Sequence, residues 1–105
     1  MHVIADLCVV PLGVGVSVSA QVAECQRVLE AHGLNPVMHA YGTNIEGGWD
    51  AVFAAIRACH EAVHAMGAPR ISTTLKFGTR TDRTQTIADK VESVDARLKA
   101  DAGGE

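Results

Sequence analysis

Cations are scarce in this chain: its 105 residues hold nine lysines and arginines against twelve acids, and the net charge is −3 with histidine neutral. A general nucleic-acid binder needs clustered cations to neutralise phosphates, so that class is excluded, and weak acidity at most favours cationic ligands. Cysteine is sparse as well. Cys8, Cys25 and Cys59 are odd in number, widely spaced and never paired as CxxC, which encodes neither a disulfide framework nor a cysteine-based zinc knuckle. They are expected to be reduced, mostly buried thiols. Long apolar runs are missing too: the opening Met1-His2-Val3-Ile4-Ala5-Asp6 has no basic leader region, and Asp6 interrupts a run too short to cross a bilayer. No membrane partner is expected, and the expected location is cytoplasmic. No GxGxxG or P-loop string occurs, and no Ser-His-Asp order can be assembled.

What remains is a composition able to build a core, with 48% hydrophobic and 20% charged residues. The length fits one domain, expected over residues 1–100, followed by a flexible tail at 101–105. From Val3 to Val10 both alternating sets are largely apolar, Val3, Ala5, Leu7 and Val9 on one side and Ile4, Asp6, Cys8 and Val10 on the other. A strand covered on both faces is implied. Pro11 through Gly15 breaks that pattern, and Ser17 or Ser19 can cap a helix over residues 19–32 that Gly33 ends. Asn35 to Ala40 reads as a second strand and the segment from Tyr41 to Gly48 as a turn with a brief third. Val52, Phe53, Ile56, Cys59, Val63 and Met66 stripe a second helix stopped by Gly67 and Pro69. Arg70 to Phe77 alternates as a fourth strand, and Ile87, Val91, Val94 and Leu98 stripe a third helix. The order βαββαβ plus a helix predicts an α+β fold of ferredoxin-like type, an antiparallel sheet with two helices on one face. The second sheet face then needs a cover, either the third helix or a partner subunit stacked sheet on sheet.

His60-Glu61-Ala62-Val63-His64 spells HExxH on a helix, where two histidines share a face and a glutamate could activate water. A zinc hydrolase also needs a third ligand and a cleft, and no downstream glycine-turn-histidine signature follows. No catalytic residue and no metal ligand are therefore expected. His2, His32 and His39 are single histidines without acidic partners at useful spacing. A more informative grouping is Ser17 and Ser19 at one helix start and Tyr41, Thr43, Asn44, Glu46 and Trp49 around the next. These offer hydroxyls, an amide, a carboxylate and aromatic faces, which suit a flat heteroaromatic ligand. The same residues also have structural uses: Ser19 as a helix cap, Glu46 as a charge at the second helix's N-terminal end, Trp49 as a core anchor.

Taken in order, Pro11-Leu12-Gly13 with Ser17-Val18-Ser19, Gly42-Thr43-Asn44-Ile45-Glu46-Gly47 leading to Trp49-Asp50, Cys59-His60-Glu61, and Lys76-Phe77-Gly78-Thr79-Arg80 before Lys90-Val91 resemble the thiamine-binding, YkoF-related family of small proteins. The resemblance spans residues 3–98. It implies a ferredoxin-like fold, sheet-to-sheet homodimers that can pair into homotetramers, and non-catalytic binding of thiamine or its hydroxymethylpyrimidine moiety, with no other cofactor. By position, the family's serine loop falls on Ser17 and Ser19, and its Gly-Thr-x-Ile-Glu-Gly segment on Gly42 through Gly47. Two departures stand out. The family's Met-Gly-Thr is Tyr41-Gly42-Thr43 here, and its Lys-x-Asp-x-Arg is Lys76-Phe77-Gly78-Thr79-Arg80, which removes an acid. The alternatives are an interaction or regulatory module without a specific small ligand and an HExxH zinc hydrolase.

Overall fold

The computed structural model describes residues 1–103. Its elements are β1 (His2–Leu12), α1 (Ser19–Ala31), β2 (Val37–His39), β3 (Gly42–Gly48), α2 (Trp49–Ala65), β4 (Arg70–Thr79) and α3 (Ile87–Gly103). The strands form one antiparallel sheet in the order β2-β3-β1-β4. This is the ferredoxin-like α+β arrangement, with α1 and α2 side by side on one sheet face.

Alternation along the strands sets the two faces. Val3, Ala5 and Leu7 of β1 point toward the helices, together with Thr43 and Ile45 of β3, and all are buried. Cys25 and Leu29 of α1 and Val52, Ala55, Cys59 and Val63 of α2 close over them. Both helices end in the same way, which explains why each is followed by glycine. Gly33 and Gly67 take positive φ (70° and 99°), and the next amides, Leu34 and Ala68, donate back to the carbonyls of Leu29 and Val63. This C-terminal motif also buries Leu34 beside Leu29.

Several elements differ from expectation for local reasons. β1 runs through Pro11, because beyond Leu7 it has only β4 as neighbour and one edge needs no amide donor. β3 is a full strand of seven residues although Gly47 and Gly48 lie in it, since the ladder with β1 runs through both glycines. Neither Ser17 nor Ser19 caps α1; the cap position is Val18, with no side-chain hydrogen bond, and the two serine hydroxyls lie 3.4 Å apart. α3 continues to Gly103, so residues 101–103 of the expected tail are helical, while 104–105 lie outside the described residues. Among the described residues no helix is long and apolar enough to cross a membrane.

Gly47 and Gly78 lie on opposite faces of the sheet, and the same substitution should separate them. A Cβ at Gly47 would meet Leu34 Cδ2 at 2.7 Å, whereas one at Gly78 meets nothing within 4 Å. Gly47→Ala should therefore destabilise by about 1–3 kcal/mol through overpacking, and Gly78→Ala should be neutral or stabilising by up to about 1 kcal/mol. Urea unfolding of the two variants measures both. Ile45→Ala, which empties the fully buried centre of β3, should cost about 2–5 kcal/mol in the same assay.

Candidate functional site

The sheet face turned away from α1 and α2 carries the second set of alternating residues: His2, Ile4, Asp6 and Cys8 of β1, Asn44 and Glu46 of β3, and Lys76 and Gly78 of β4. The cross-strand register lines these up in rows. Glu46 lies beside Ile4, which lies beside Gly78, and Asn44 lies beside Asp6, which lies beside Lys76. Chain distance hides these neighbours in the sequence.

Glu46 is the pivot of this face. Its side chain is only 15% exposed, and its Oε2 accepts hydrogen bonds from the Ile87 amide (2.9 Å) and His2 Nε2 (3.3 Å). Its other carboxylate oxygen, Oε1, makes no hydrogen bond among the described residues. Ile87 opens α3, so Glu46 serves a helix N-terminus, although of α3 and not of α2. That end is further organised by a reciprocal cap. The Asp89 amide donates to Thr86 Oγ1 at 3.1 Å, and the Thr86 amide donates to Asp89 Oδ2 at 3.0 Å. The Thr86 amide, and after it the Thr86 hydroxyl, hold the Asp89 carboxyl below its ordinary range. α3 then leaves the body and packs broadly on none of the other elements.

Between α3 and the strands lie three hollows, two of them joined. One of about 380 Å³ is walled by Asn35, Val37, Glu46, Ile87 and Val91. A groove of about 400 Å³ runs over Ile4, Asp6, Asn44, Lys76 and Gly78 to Lys90. It meets a smaller cavity of about 140 Å³ through the shared residues Ile4, Gly78 and Lys90. Volumes of a few hundred Å³ suit a small organic ligand.

Of the seven residues expected to bind a ligand, Asn44 and Glu46 meet on this face. Thr43 points the other way; it is 5% exposed, and its hydroxyl accepts from Gln26 Nε2 at 2.8 Å. Trp49 packs on the helix side against Phe53 and Phe77, with ring centroids 4.8 and 5.5 Å away. Tyr41 sits at the β2–β3 turn and is 87% exposed. Ser17 and Ser19 flank the start of α1, beyond the far end of β1. Sequence spacing overlooked His2 and His39, whose carboxylate partners come from other strands: Glu46, and Asp6 at 2.7 Å. The pattern that could have found them is the alternation of His2 and Asp6 on one strand face.

The HExxH residues are occupied otherwise. His60 Nε2 lies 2.6 Å from Thr73 Oγ1, His64 Nδ1 donates to the Ala68 carbonyl, and Glu61 pairs with Arg57. Among the described residues, no three histidine, cysteine or acidic side chains converge as a metal ion would require. Cys25 and Cys59 are buried between α1 and α2, and the Cys59 thiol is held well above its ordinary range by its hydrogen bond with Cys25 and by burial. Cys59 is thus an inert core thiol.

Residues 5–95 match the family described as thiamine-binding protein. A UPF0045 protein of Synechocystis sp. is 68% identical over 99 residues, covering 94% of this chain and 82% of its own length. The UPF0045 protein ECM15 of Eremothecium gossypii is 45% identical over 100 residues, with 93% and 94% covered. The crystal structure of the hypothetical protein MJ1052 from Methanocaldococcus jannaschii superposes with a TM-score of 0.82 at 31% identity, over 90% of this chain and 96% of that one. A Thermotoga maritima structure, described as a candidate thiamine biosynthesis/salvage protein, shares the fold with a TM-score of 0.76 at 16% identity, over 90% and 99% of the two chains. Its sequence, its fold and the near-complete span of these matches agree: the chain belongs to the thiamine-binding protein family.

Proposed function

We propose that this protein binds thiamine or its hydroxymethylpyrimidine moiety without catalysing a reaction on it, and that the site lies on the open sheet face around Glu46. The observation that carries this reading is the half-engaged carboxylate: Glu46 is held in place through Oε2 and keeps Oε1 for a ligand. An aminopyrimidine presents N–H donors at its edge, and a fixed, poorly hydrated carboxylate is the acceptor they need. Asn44, two residues along β3 on the same face, adds donors and acceptors for ring nitrogens. Ile4, between Glu46 and Gly78, offers an apolar floor for a flat ring. Ser17, Ser19, Tyr41, Thr43 and Trp49 are not needed for this site.

The active form is proposed to be a homo-oligomer. Val91, Val94 and Leu98 form an apolar stripe on α3 and are each more than half exposed, while Val10 and Leu12 lie open on the outer row of β1. One chain thus carries both an uncovered helix stripe and an uncovered sheet row, and a second copy can cover each with the other. The unpaired thiols suit a reducing compartment, and we infer a cytoplasmic location from them.

Two outcomes are expected. In calorimetry, Glu46→Gln should keep the fold, since its amide oxygen still accepts from Ile87, but weaken thiamine or hydroxymethylpyrimidine by about 1.5–3 kcal/mol. Unchanged affinity in a normally melting variant would move the site elsewhere. No thermal shift with any of these compounds would favour an interaction module, because a ligand at a hundred times its Kd stabilises by about 2.7 kcal/mol. In light scattering, a Val94→Asp, Leu98→Asp variant should be monomeric at micromolar concentration with unchanged helical content, where the parent is an oligomer. A monomeric parent would contradict the assembly.

A further inference from the structure

The small cavity at the far end of the groove has a charge character of its own. It is lined by Arg80, Arg83 and Lys90 together with His2, Gly78 and Gln85, and by no carboxylate. Arg80 is already fixed, its guanidinium forked onto Asp82 and bonded to Gln85 at 2.9 Å, and it draws the Asp82 carboxyl down to about 2. Arg83 and Lys90 make no ion pair among the described residues, and neither does Lys76 along the adjoining groove. The acids nearest Arg83 are committed elsewhere, Asp82 to Arg80 and Asp89 to the Thr86 cap. Arg83 and Lys90 are therefore free of direct ion pairs among the described residues, in a chain whose net charge is negative. The N-terminus of α3 does not call for them either, because acids already serve it: Glu46 accepts from the Ile87 amide and Asp89 from the Thr86 amide.

We propose that this cavity is an anion subsite that takes a phosphate group of the bound ligand, so that the protein selects the phosphorylated over the free form. This deepens the thiamine reading and rests on it. Size supports the division. About 140 Å³ is below the ~300 Å³ at which whole-ligand pockets begin, so the cavity holds one part of a ligand whose rings lie in the adjoining groove of about 400 Å³. Position supports it as well. Glu46 and Gly78 lie on either side of Ile4, two strand spacings or about 10 Å apart. The open face thus carries a carboxylate on one side of Ile4, in the neighbouring hollow, for ring N–H groups and cations on the other side for phosphate oxygens. Gly78 stands where the two hollows join, and nothing in the backbone or the packing requires glycine there. Its lack of a side chain leaves the passage open, and any acid in its place would face Lys90 and the incoming phosphate.

The test is calorimetry in phosphate-free buffer with thiamine, thiamine diphosphate and inorganic pyrophosphate as separate probes. The parent protein should bind the diphosphate at least about tenfold more tightly than thiamine, the worth of one added charge-assisted contact. Raising the salt should narrow that ratio. Arg83→Ala with Lys90→Ala should bring the ratio close to one, Gly78→Asp should reduce it by itself, and Lys99→Ala, elsewhere on α3, should leave it intact. If the double variant does not fold, Lys90→Gln read by the same ratio replaces it. Equal affinity for thiamine and its diphosphate in the parent would overturn the subsite while leaving thiamine binding standing. A ratio that survives Arg83→Ala with Lys90→Ala would also overturn it. Pyrophosphate binding as tightly as the diphosphate, with thiamine not bound, would support the subsite and overturn the thiamine reading.

Discussion

Glu46 joins the sheet to α3, and the open face depends on that junction. Its backbone belongs to β3, paired with Ile4 of β1 and bonded through its amide to the Leu34 carbonyl, and its carboxylate accepts the amide that opens α3. A carboxylate on a helix N-terminus is favourable both as a hydrogen-bond acceptor and as a negative charge near the positive end of the helix dipole. Because α3 has little other contact with the body, this bond and the Thr86–Asp89 cap determine where the helix begins and hence the width of the hollows beneath it. The pocket walls are set by a polar interaction, whereas the helix-side core is set by packing.

The two faces of the sheet divide the work. On one, Val3, Ala5, Leu7 and Ile45 are sealed under α1 and α2, and a close-packed interior of this kind leaves no room for a ligand. On the other, polar and charged groups stand in register beside Ile4, close enough across strands to act on one molecule. The exposed ion pairs on the helices, Arg27 with Glu24 and Arg57 with Glu61, add little stability and are remote from this arrangement. HExxH is likewise absorbed by the scaffold: His60 ties α2 to β4 through Thr73, and His64 closes the turn after α2.

Much of this scaffold was legible along the chain. The α+β order, the stripes on the second and third helices and the glycine stops at Gly33 and Gly67 follow from short-range periodicity and from a backbone turn that favours glycine. What escaped was non-local. The serine near α1 looked like a cap, yet the chain enters the helix through Val18 and leaves both serine hydroxyls to each other. Thr43 and Glu46 seemed members of one loop, but they sit three positions apart in a strand and so face opposite sides. His2 seemed isolated until β1 was laid beside β3. The cations of the small cavity come from the loop after β4 and from α3, a convergence that no linear spacing reveals.

The claim that the ligand lies on the open sheet face, and not among the loops at the start of α1 and α2, has a direct readout in backbone amide chemical shifts during titration with thiamine or its diphosphate. The account predicts the largest changes at Ile4, Asn44, Glu46, Gly78 and Ile87, with Ser19, Trp49 and Phe53 nearly still. Changes centred on Ser19, Trp49 and Phe53, with Glu46 and Ile87 unmoved, would contradict it.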